Sequence, residues 1–189
     1  MKRLLLILFL TLIFQSLTKA DDIKDIEIDG MRLGESLLNY YSESEIKKSK
    51  INYFDDERQY YVIFYNKNLV KFDDFEIYLK TDDKTYSIKS INAGLYPKNL
   101  NECLEKKKEL VDEISSAIEV EFNDSNQNHN YYKNTFINGD VAYLDGGYIT
   151  IECMFFDKKD KKKFPDLVDN LSVSITLDEV DNWMTSGYE

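Results

Sequence analysis

The chain has 189 residues, of which 43% are hydrophobic and 31% charged, with 7 Gly and 2 Pro. This size and composition suit one folded domain and exclude collagen-like, Pro-rich and disordered chains. The formal charge of −11 argues against binding to nucleic acid or anionic lipid, because both need a cationic protein surface. A single His excludes any metal site or proton relay that needs two imidazoles from one chain.

The first twenty residues have the layout of a secretory signal peptide. Lys2 and Arg3 precede an apolar run at 4–14, which is much shorter than the ~20 apolar residues of a bilayer span. Thr18 and Ala20 are small residues placed three and one before a cleavage site after Ala20. We therefore predict a signal peptide over 1–20 and a secreted or periplasmic domain over 21–189 with no membrane span; an uncleaved anchor is the alternative.

Removal of the signal peptide would make the protein more acidic. The segment contains three cations and no acid, so the formal charge would change from −11 to −14. Such a charge attracts cationic ligands, metal ions or basic partner proteins. The simpler interpretation is that it keeps a secreted protein soluble.

The first part of the predicted domain contains short elements and then a meander. Alternation over 23–29 predicts a short strand, and Gly30 and Gly34 lead into a short helix. Ser42 and Glu45 fit a capping box that opens another helical turn. Aromatic and β-branched residues then predict three antiparallel strands, at 58–65, 74–80 and 84–96.

The clearest helix is predicted from Leu100 to about Phe122, with one apolar stripe to cover a sheet. The remaining predictions, in chain order, are a polar loop at 123–130, strands at 131–144 and 147–156, a charged connector at 157–166, a strand at 171–177 and a terminal helix through Trp183 that Asp178 caps. The predicted fold class is α+β. An antiparallel meander sheet is covered on one face by one long helix, with short helices at the start and end.

Cys103 and Cys153 are the two cysteines of the chain. In an oxidising compartment an isolated pair forms a disulfide, and closing this loop of roughly 50 residues would stabilise the fold by about 4 kcal/mol. The bridge would tie the long helix to a strand of the sheet. A catalytic thiol paired with His129 is the alternative, but nothing near either cysteine in the sequence would lower a thiol pKa.

The segment 26–46 is the part most like a motif. Its glycine spacing matches neither the dinucleotide fingerprint nor the phosphate loop, so a turn and helix entry is the preferred interpretation. The pattern I-x-G-x-x-x-G-E-S-L-L, starting at Ile28, resembles the opening of a family of small uncharacterised secreted or periplasmic proteins from AT-rich bacterial genomes. In these proteins a helix-borne Cys follows a Tyr-rich meander, as Cys103 does here. The resemblance implies no biochemical function.

Carboxylates offer the main catalytic alternative. The acidic pairs lie at Asp55–Asp56, Asp73–Asp74, Asp82–Asp83 and Glu152 with Asp157, mostly in predicted turns. Glu152 is the exception, because it lies in a strand and faces away from Cys153. If Glu152 converged with Asp140 or Asp145 in a cleft, the site would suit a hydrolase.

The loop at 123–130 and its histidine offer two further candidate sites. The polar residues Asp124, Asn126, Asn128 and Asn130 superficially resemble calcium ligands, but Thr135 stands where an EF-hand has Glu. A weaker cation site is left open. His129 would need a serine partner, and no G-x-S-x-G motif is present to position one.

The 14 Tyr residues give the strongest functional signal. Exposed tyrosines suit recognition of proteins or carbohydrates, although Tyr is also a good strand residue. The predicted binding face comprises Tyr60, Tyr61, Tyr78, Tyr131 and Tyr132.

The preferred hypothesis is a non-enzymatic module that recognises a protein or an envelope component, with no cofactor and no bound nucleic acid. This hypothesis predicts an exposed aromatic strip and no deep cleft. The alternatives are a small carboxylate-dependent hydrolase and a cation-binding envelope protein.

Overall fold

The computed structural model describes residues 22–51, 59–66 and 69–186. Within them the strands are β1 (Glu27–Ile28), β2 (Met31–Arg32), β3 (Lys50–Ile51), β4 (Tyr60–Tyr65), β5 (Asp74–Lys80), β6 (Ile88–Leu95), β7 (Asn123–Asp124), β8 (Gln127–Asn128), β9 (Phe136–Leu144), β10 (Gly147–Phe155) and β11 (Asn170–Leu177). The helices are α1 (Glu43–Lys48), α2 (Leu100–Ile118), α3 (Lys158–Lys163) and α4 (Asp178–Thr185), with 3-10 turns at Ile23–Asp25 and Leu37–Asn39.

A nine-stranded antiparallel sheet dominates the described part of the chain. Its order is β3-β4-β5-β6-β11-β10-β9-β7, and β8 also pairs with β9. The strands β4-β5-β6 form one meander, and β9-β10-β11 form a second. The last strand of each meander pairs with the other, so β6 and β11 lie side by side at the centre of the sheet. Helix α2 belongs to the connection between the two meanders.

The two faces of the sheet differ in chemistry, because side chains alternate along each strand. In β11, Leu171, Val173 and Ile175 are buried on one face, and the residues between them, Ser172 and Ser174, point to the other. The register puts the buried hydrophobic residues of β5, β6 and β10 on the same face as those of β11. We call this the helix face, because α2 packs against it, and we call the opposite side the polar face.

Helix α2 is amphipathic and is attached to the sheet at its first turns. The Asn99 side chain accepts a hydrogen bond from the Glu102 backbone N–H and caps the helix. Cys103 is buried and bonded to Cys153 of β10, with the two Cα atoms 6.0 Å apart. One turn later, Lys107 is buried and forms an ion pair with Asp140 of β9. The helix is therefore held to β10 by a covalent bond and to β9 by a charge pair.

The structure confirms the predicted fold class and disulfide. Several local predictions were wrong. Asp178 does not cap the terminal helix, because Leu177 is the N-cap residue and Asp178 is the first residue of α4. The segment at 23–29 contains a 3-10 turn and the two-residue strand β1, the polar loop at 123–130 contains β7 and β8, and the charged connector contains α3. Helix α2 ends at Ile118, before the predicted end, because Glu119 adopts a left-handed conformation with φ of 54°.

Two other sequence predictions concern membranes and export. None of the helices in the described residues is long and apolar enough to cross a membrane. The predicted signal peptide over 1–20 and its cleavage site lie outside the described residues.

Breaking the disulfide should destabilise the protein. The bridge closes a loop with a sequence separation of 50, for which the chain-entropy model gives about 4 kcal/mol. We expect dithiothreitol to lower the melting temperature of the protein by roughly 10 °C, at about 2–4 °C for each kcal/mol in a domain of this size. Thermal unfolding followed by circular dichroism measures this change.

The double variant Cys103→Ser/Cys153→Ser provides the control. It should melt at the temperature of the reduced protein, and dithiothreitol should not change that temperature. An equal melting temperature of the wild type with and without the reductant would contradict a stabilising role for the bridge.

Candidate functional site

A groove with two adjoining lobes runs across the polar face of the sheet. The lobes have volumes of about 590 and 530 Å³. Asn92 of β6, Glu152 of β10 and Ser174 of β11 line both lobes and mark where they meet. Because these residues come from central strands, the floor of the groove rests on the most regular part of the sheet.

The groove floor consists of polar side chains that bond to one another across strands. Ser174 Oγ donates to Asn92 Oδ1 at 3.0 Å, and Asn92 Nδ2 donates to Glu76 Oε2 at 3.4 Å. Ser90 and Thr176 share a hydroxyl–hydroxyl bond of 2.8 Å. These bonds satisfy much of the polar floor, so polar side chains can lie on central strands at little cost.

Helix α4 forms one wall of the first lobe. It packs onto the polar face through Trp183, whose ring centroid lies 4.9 Å from that of Tyr60. Asp181 and Met184 of the same helix line the lobe. The Tyr148 hydroxyl donates to Asp181 Oδ1 at 3.2 Å and links the helix to β10.

Aromatic rings line the second lobe. Tyr132, Phe156 and His129 pack against one another, with Tyr132 meeting Phe156 edge-on at 5.3 Å between ring centroids. Tyr96 lines the same lobe, and its hydroxyl donates to Asp74. The lobe thus offers aromatic surfaces beside a carboxylate.

His129 is held by the backbone of its own loop. Its Nδ1 atom accepts hydrogen bonds from the backbone N–H groups of Tyr131 and Tyr132, at 3.1 and 3.2 Å. An accepting Nδ1 requires the tautomer with hydrogen on Nε2. Burial lowers the pKa of His129, with Asp160 opposing and Lys133 reinforcing that effect. The neutral imidazole is therefore the stable form at neutral pH, and its role here is to order the loop.

The segment between β7 and β8 covers the edge of the first lobe. Asn126 Oδ1 accepts a hydrogen bond of 3.1 Å from the backbone N–H of Gly139, and Ser125 N–H donates to the carbonyl of the same glycine at 2.9 Å. A Cβ atom on Gly139 would lie 2.7 Å from Ser125 Oγ and 3.3 Å from Glu152 Oε1. The absence of a side chain at this position lets Ser125 and Glu152 converge over β9.

Four carboxylates line the groove, and one differs from the others. Asp74, Glu76 and Asp181 each accept a hydrogen bond from a neighbouring side chain. The Glu152 side chain forms no hydrogen bond or ion pair with any residue in the described part of the chain. Burial raises the pKa of Glu152, and the attraction of Lys107 on the other face only partly offsets it. Burial also raises the pKa of Asp74, with the Tyr96 hydrogen bond opposing it.

The five tyrosines predicted as a binding face do not form one surface. Tyr60 is 1% exposed beneath Trp183, and Tyr61 points to the opposite face of the sheet, with Lys50 Nζ 5.1 Å from its ring centroid. Tyr78 and Tyr132 line different lobes of the groove. Tyr131 is 67% exposed and contacts Tyr132 and Phe164. Strand alternation separates the first pair, so a doublet of tyrosines on a strand cannot present both rings to one ligand.

Two exposed aromatic residues of the groove rim were not singled out from the sequence. Tyr143 is 70% exposed in the first lobe, and Tyr96 is 47% exposed in the second. Tyr143 lies opposite Tyr148 in the β9–β10 pair, with 6.2 Å between their ring centroids. Tyr143 and Tyr148 flank a glycine-containing turn in the sequence, and this spacing is typical of a cross-strand pair in a hairpin.

The structure does not bring together the acids that would have favoured a hydrolase. Asp140 pairs with Lys107 on the helix face, and Asp145 lies in the β9–β10 turn, where its carbonyl accepts from Ile23 N–H. Neither lines the groove with Glu152. No group of three or more His, Cys, Asp or Glu side chains that could hold a metal ion occurs in residues 22–51, 59–66 and 69–186.

Comparison with known proteins does not assign the chain to a family. No family model, no curated protein and no solved structure matches it significantly. The resemblance of the I-x-G-x-x-x-G-E-S-L-L segment to small secreted proteins stays a prediction. The functional argument therefore rests on the groove itself.

Replacing Glu152 tests its environment in the groove. The raised pKa means that Glu152 binds its proton more tightly in the folded state than in the unfolded state. The protonated side chain therefore contributes its full stabilisation below the pKa of the unfolded state, and this stabilisation is lost as the pH rises through the pKa of the folded state. Glu152→Gln does not titrate. We therefore expect the variant to gain stability relative to the wild type as the pH rises above the ordinary titration range of a glutamate carboxyl.

Urea unfolding at several pH values measures this difference, and Glu109→Gln on the exposed side of α2 is the control. The control removes a carboxylate that lies outside the groove, so a pH-dependent difference seen only in Glu152→Gln is assigned to the groove. A difference between Glu152→Gln and the wild type that did not change with pH would contradict an unfavourable environment for the ionised carboxylate.

Proposed function

We propose that the protein is a secreted, non-enzymatic binding module that recognises a protein or an envelope component through the groove on its polar face. The sequence led us to expect a strip of exposed tyrosines and no deep cleft, but the structure has a groove instead. The observation that carries the proposal is the composition of this groove. Hydroxyl, amide and carboxylate groups form its floor, and exposed aromatic rings stand at its rim. Such sites combine apolar contact area with a few directional polar groups that specify the ligand.

The charges in the groove restrict its ligand to a neutral or cationic molecule. Among the described residues that line the two lobes none is Lys or Arg, whereas Asp74, Glu76, Glu152 and Asp181 are acidic. The acidic chain as a whole reinforces this preference. The acidic side chains of the groove would repel phosphate groups and anionic polymers.

The size and openness of the groove favour recognition of an extended ligand. Two lobes that meet at Asn92, Glu152 and Ser174 offer more than 500 Å³ each, within the roughly 300–1,000 Å³ range of binding sites. An extended peptide or polymer could occupy both lobes at once. Tyr143 and Tyr96 would then contact different parts of it, since they stand in different lobes.

The distance between Glu76 and Glu152 disfavours a hydrolase that would use these two carboxylates. Glu76 lies on β5 and Glu152 on β10, with β6 and β11 between them, so their backbones are about 14 Å apart at the usual strand spacing. Side chains stand roughly perpendicular to a sheet and largely keep this separation. The catalytic carboxyl groups of glycosidases lie within about 10 Å of each other.

Export is the part of the proposal that depends on the N-terminus. The Cys103–Cys153 bridge supports it, because disulfides persist in oxidising compartments. We expect the protein recovered from its native host to begin at Asp21 and to carry the bridge. Intact mass spectrometry of extracellular and cytosolic fractions measures both. A full-length chain with two free thiols in the cytosol would contradict export.

Two substitutions in the groove test the binding function. Ser174→Trp should fill the junction of the lobes, and Tyr143→Ala removes an exposed ring at the rim without disturbing buried contacts. Tyr131→Ala is the matched control, because Tyr131 is equally exposed but does not line the groove. We expect a component of envelope extracts to be captured by the wild type and the control and at least fivefold less by both groove variants.

Folding of each variant is checked by its disulfide content and its melting temperature. Equal capture by the wild type and a folded Tyr143→Ala or Ser174→Trp protein would refute recognition through the groove. Loss of capture in Tyr131→Ala alone would instead assign recognition to the exposed aromatic surface at 131.

A further inference from the structure

Glu152 lies at the junction of the two lobes and lacks a compensating group. The three other carboxylates of the groove accept hydrogen bonds from Asn92, Tyr96 and Tyr148, whereas no described residue donates to Glu152. The nearest cation that acts on it, Lys107, is on the helix face and is already paired with Asp140. A half-buried carboxylate in this situation is stabilised only by water or by a ligand.

A second polar group at the same place also lacks a partner. Ser125 Oγ is buried and forms no hydrogen bond with any described residue. This oxygen and Glu152 Oε1 both approach the space above Gly139, within 3.3 Å of the point where a Cβ would be. An ionised carboxylate can only accept hydrogen bonds, and a hydroxyl can accept as well as donate. The pair therefore complements a group that carries several donors and a positive charge.

Apolar side chains flank this pair of oxygens. Val141 follows Gly139 by two residues on β9, and Met154 follows Glu152 by two residues on β10, so both lie on the polar face beside it. Because β9 and β10 are antiparallel, these two residues lie on opposite sides of the Glu152–Gly139 pair. A slender aliphatic stem that packed on Val141 in the first lobe could bring its charged end to the oxygens.

Resting on the proposed binding function, we propose that Glu152 and Ser125 form a subsite for the primary ammonium group of a lysine side chain on a partner protein. The ammonium group is compact and has three donors, which can satisfy Glu152 and Ser125 together. The stem of the lysine approaches through the first lobe, which Ser125 and Val141 both line, and lies against Val141. The groove would then recognise an extended segment of the partner with one lysine at the junction of the lobes.

The mature protein is titrated with a capped Gly-Lys-Gly peptide, with the same peptide acetylated on the lysine Nε, and with an oligomer of glucosamine. Chemical-shift changes in 15N spectra give the affinities and the residues that respond. We expect the lysine peptide to perturb the groove and to bind at least tenfold more tightly than the acetylated one. Glu152→Gln should weaken it at least tenfold, and Ser125→Ala severalfold.

Glu109→Gln is the matched control, because it removes the same charge from the exposed side of α2, on the other side of the sheet. It should bind the lysine peptide as the wild type does. Equal binding of the acetylated peptide, unchanged affinity in Glu152→Gln, or an equal loss in Glu109→Gln would overturn the lysine subsite. Tighter Glu152-dependent binding of the glucosamine oligomer would overturn the assignment to lysine.

Capture from envelope extracts separates this proposal from the one on which it rests. If Glu152→Gln still captures the component that Ser174→Trp loses, the groove functions in binding but the ammonium subsite is wrong. If neither folded variant alters capture, recognition through the groove is wrong as well. Loss of capture in both variants, with the control unaffected, supports both proposals.

Discussion

The two-residue alternation of the central strands determines the rest of this structure. In β10 the residues Ile149, Ile151 and Cys153 point to the helix face, so Thr150 and Glu152 must point to the polar face. A shift of register by one residue would put Glu152 under α2 and the half-cystine in the groove. The packing of the core on one side therefore fixes the position of every polar group on the other.

The disulfide and the groove are coupled through this alternation. Cys153 follows Glu152 directly, and its bond to Cys103 holds this part of β10 against α2. The Lys107–Asp140 pair restrains the neighbouring strand β9, one residue after Gly139. The strands that carry Glu152 and Gly139 are thus restrained from the helix face, on the side of the sheet opposite the groove. Such support lets a binding site keep its geometry although its own side chains include an unpaired carboxylate.

The sequence was sufficient for the architecture because the pattern that encodes it is local. The apolar stripe from Leu100 onward, the alternation at 171–177 and the two cysteines each predict one element or contact, and together they define a sheet covered by a helix. The errors fall where tertiary contacts override local propensity. The polar segment with Asp124 and Gln127 forms short strands because it pairs with the edge of β9, and its composition alone gives no sign of this.

The candidate site was less predictable, because it depends on distances between strands that are far apart in the sequence. The alternation predicted that Glu152 and Cys153 point to opposite faces of the sheet, and this prediction was correct. Nothing in the sequence indicated that α4 would cover Tyr60, or that Gly139 would lie opposite Glu152. The predicted binding face of five tyrosines was divided for the same reason, since the exposure of each ring is decided by what packs on its face of the sheet.

The groove follows from a compromise between stability and recognition. Its hydroxyl and amide groups bond to one another, so they cost the fold little and leave part of their hydrogen-bonding capacity for a ligand. Glu152 and Ser125 are different, because neither has a hydrogen-bonding neighbour among the described residues. One such neighbour would have offset the cost of removing each group from water in the folded state. Natural proteins retain unpaired buried polar groups mainly at sites where such a group, or backbone strain, has a function. The same reasoning distinguishes Glu152 from Asp160, a buried carboxylate that accepts from Asn134 and Thr135 and whose role is to hold a loop.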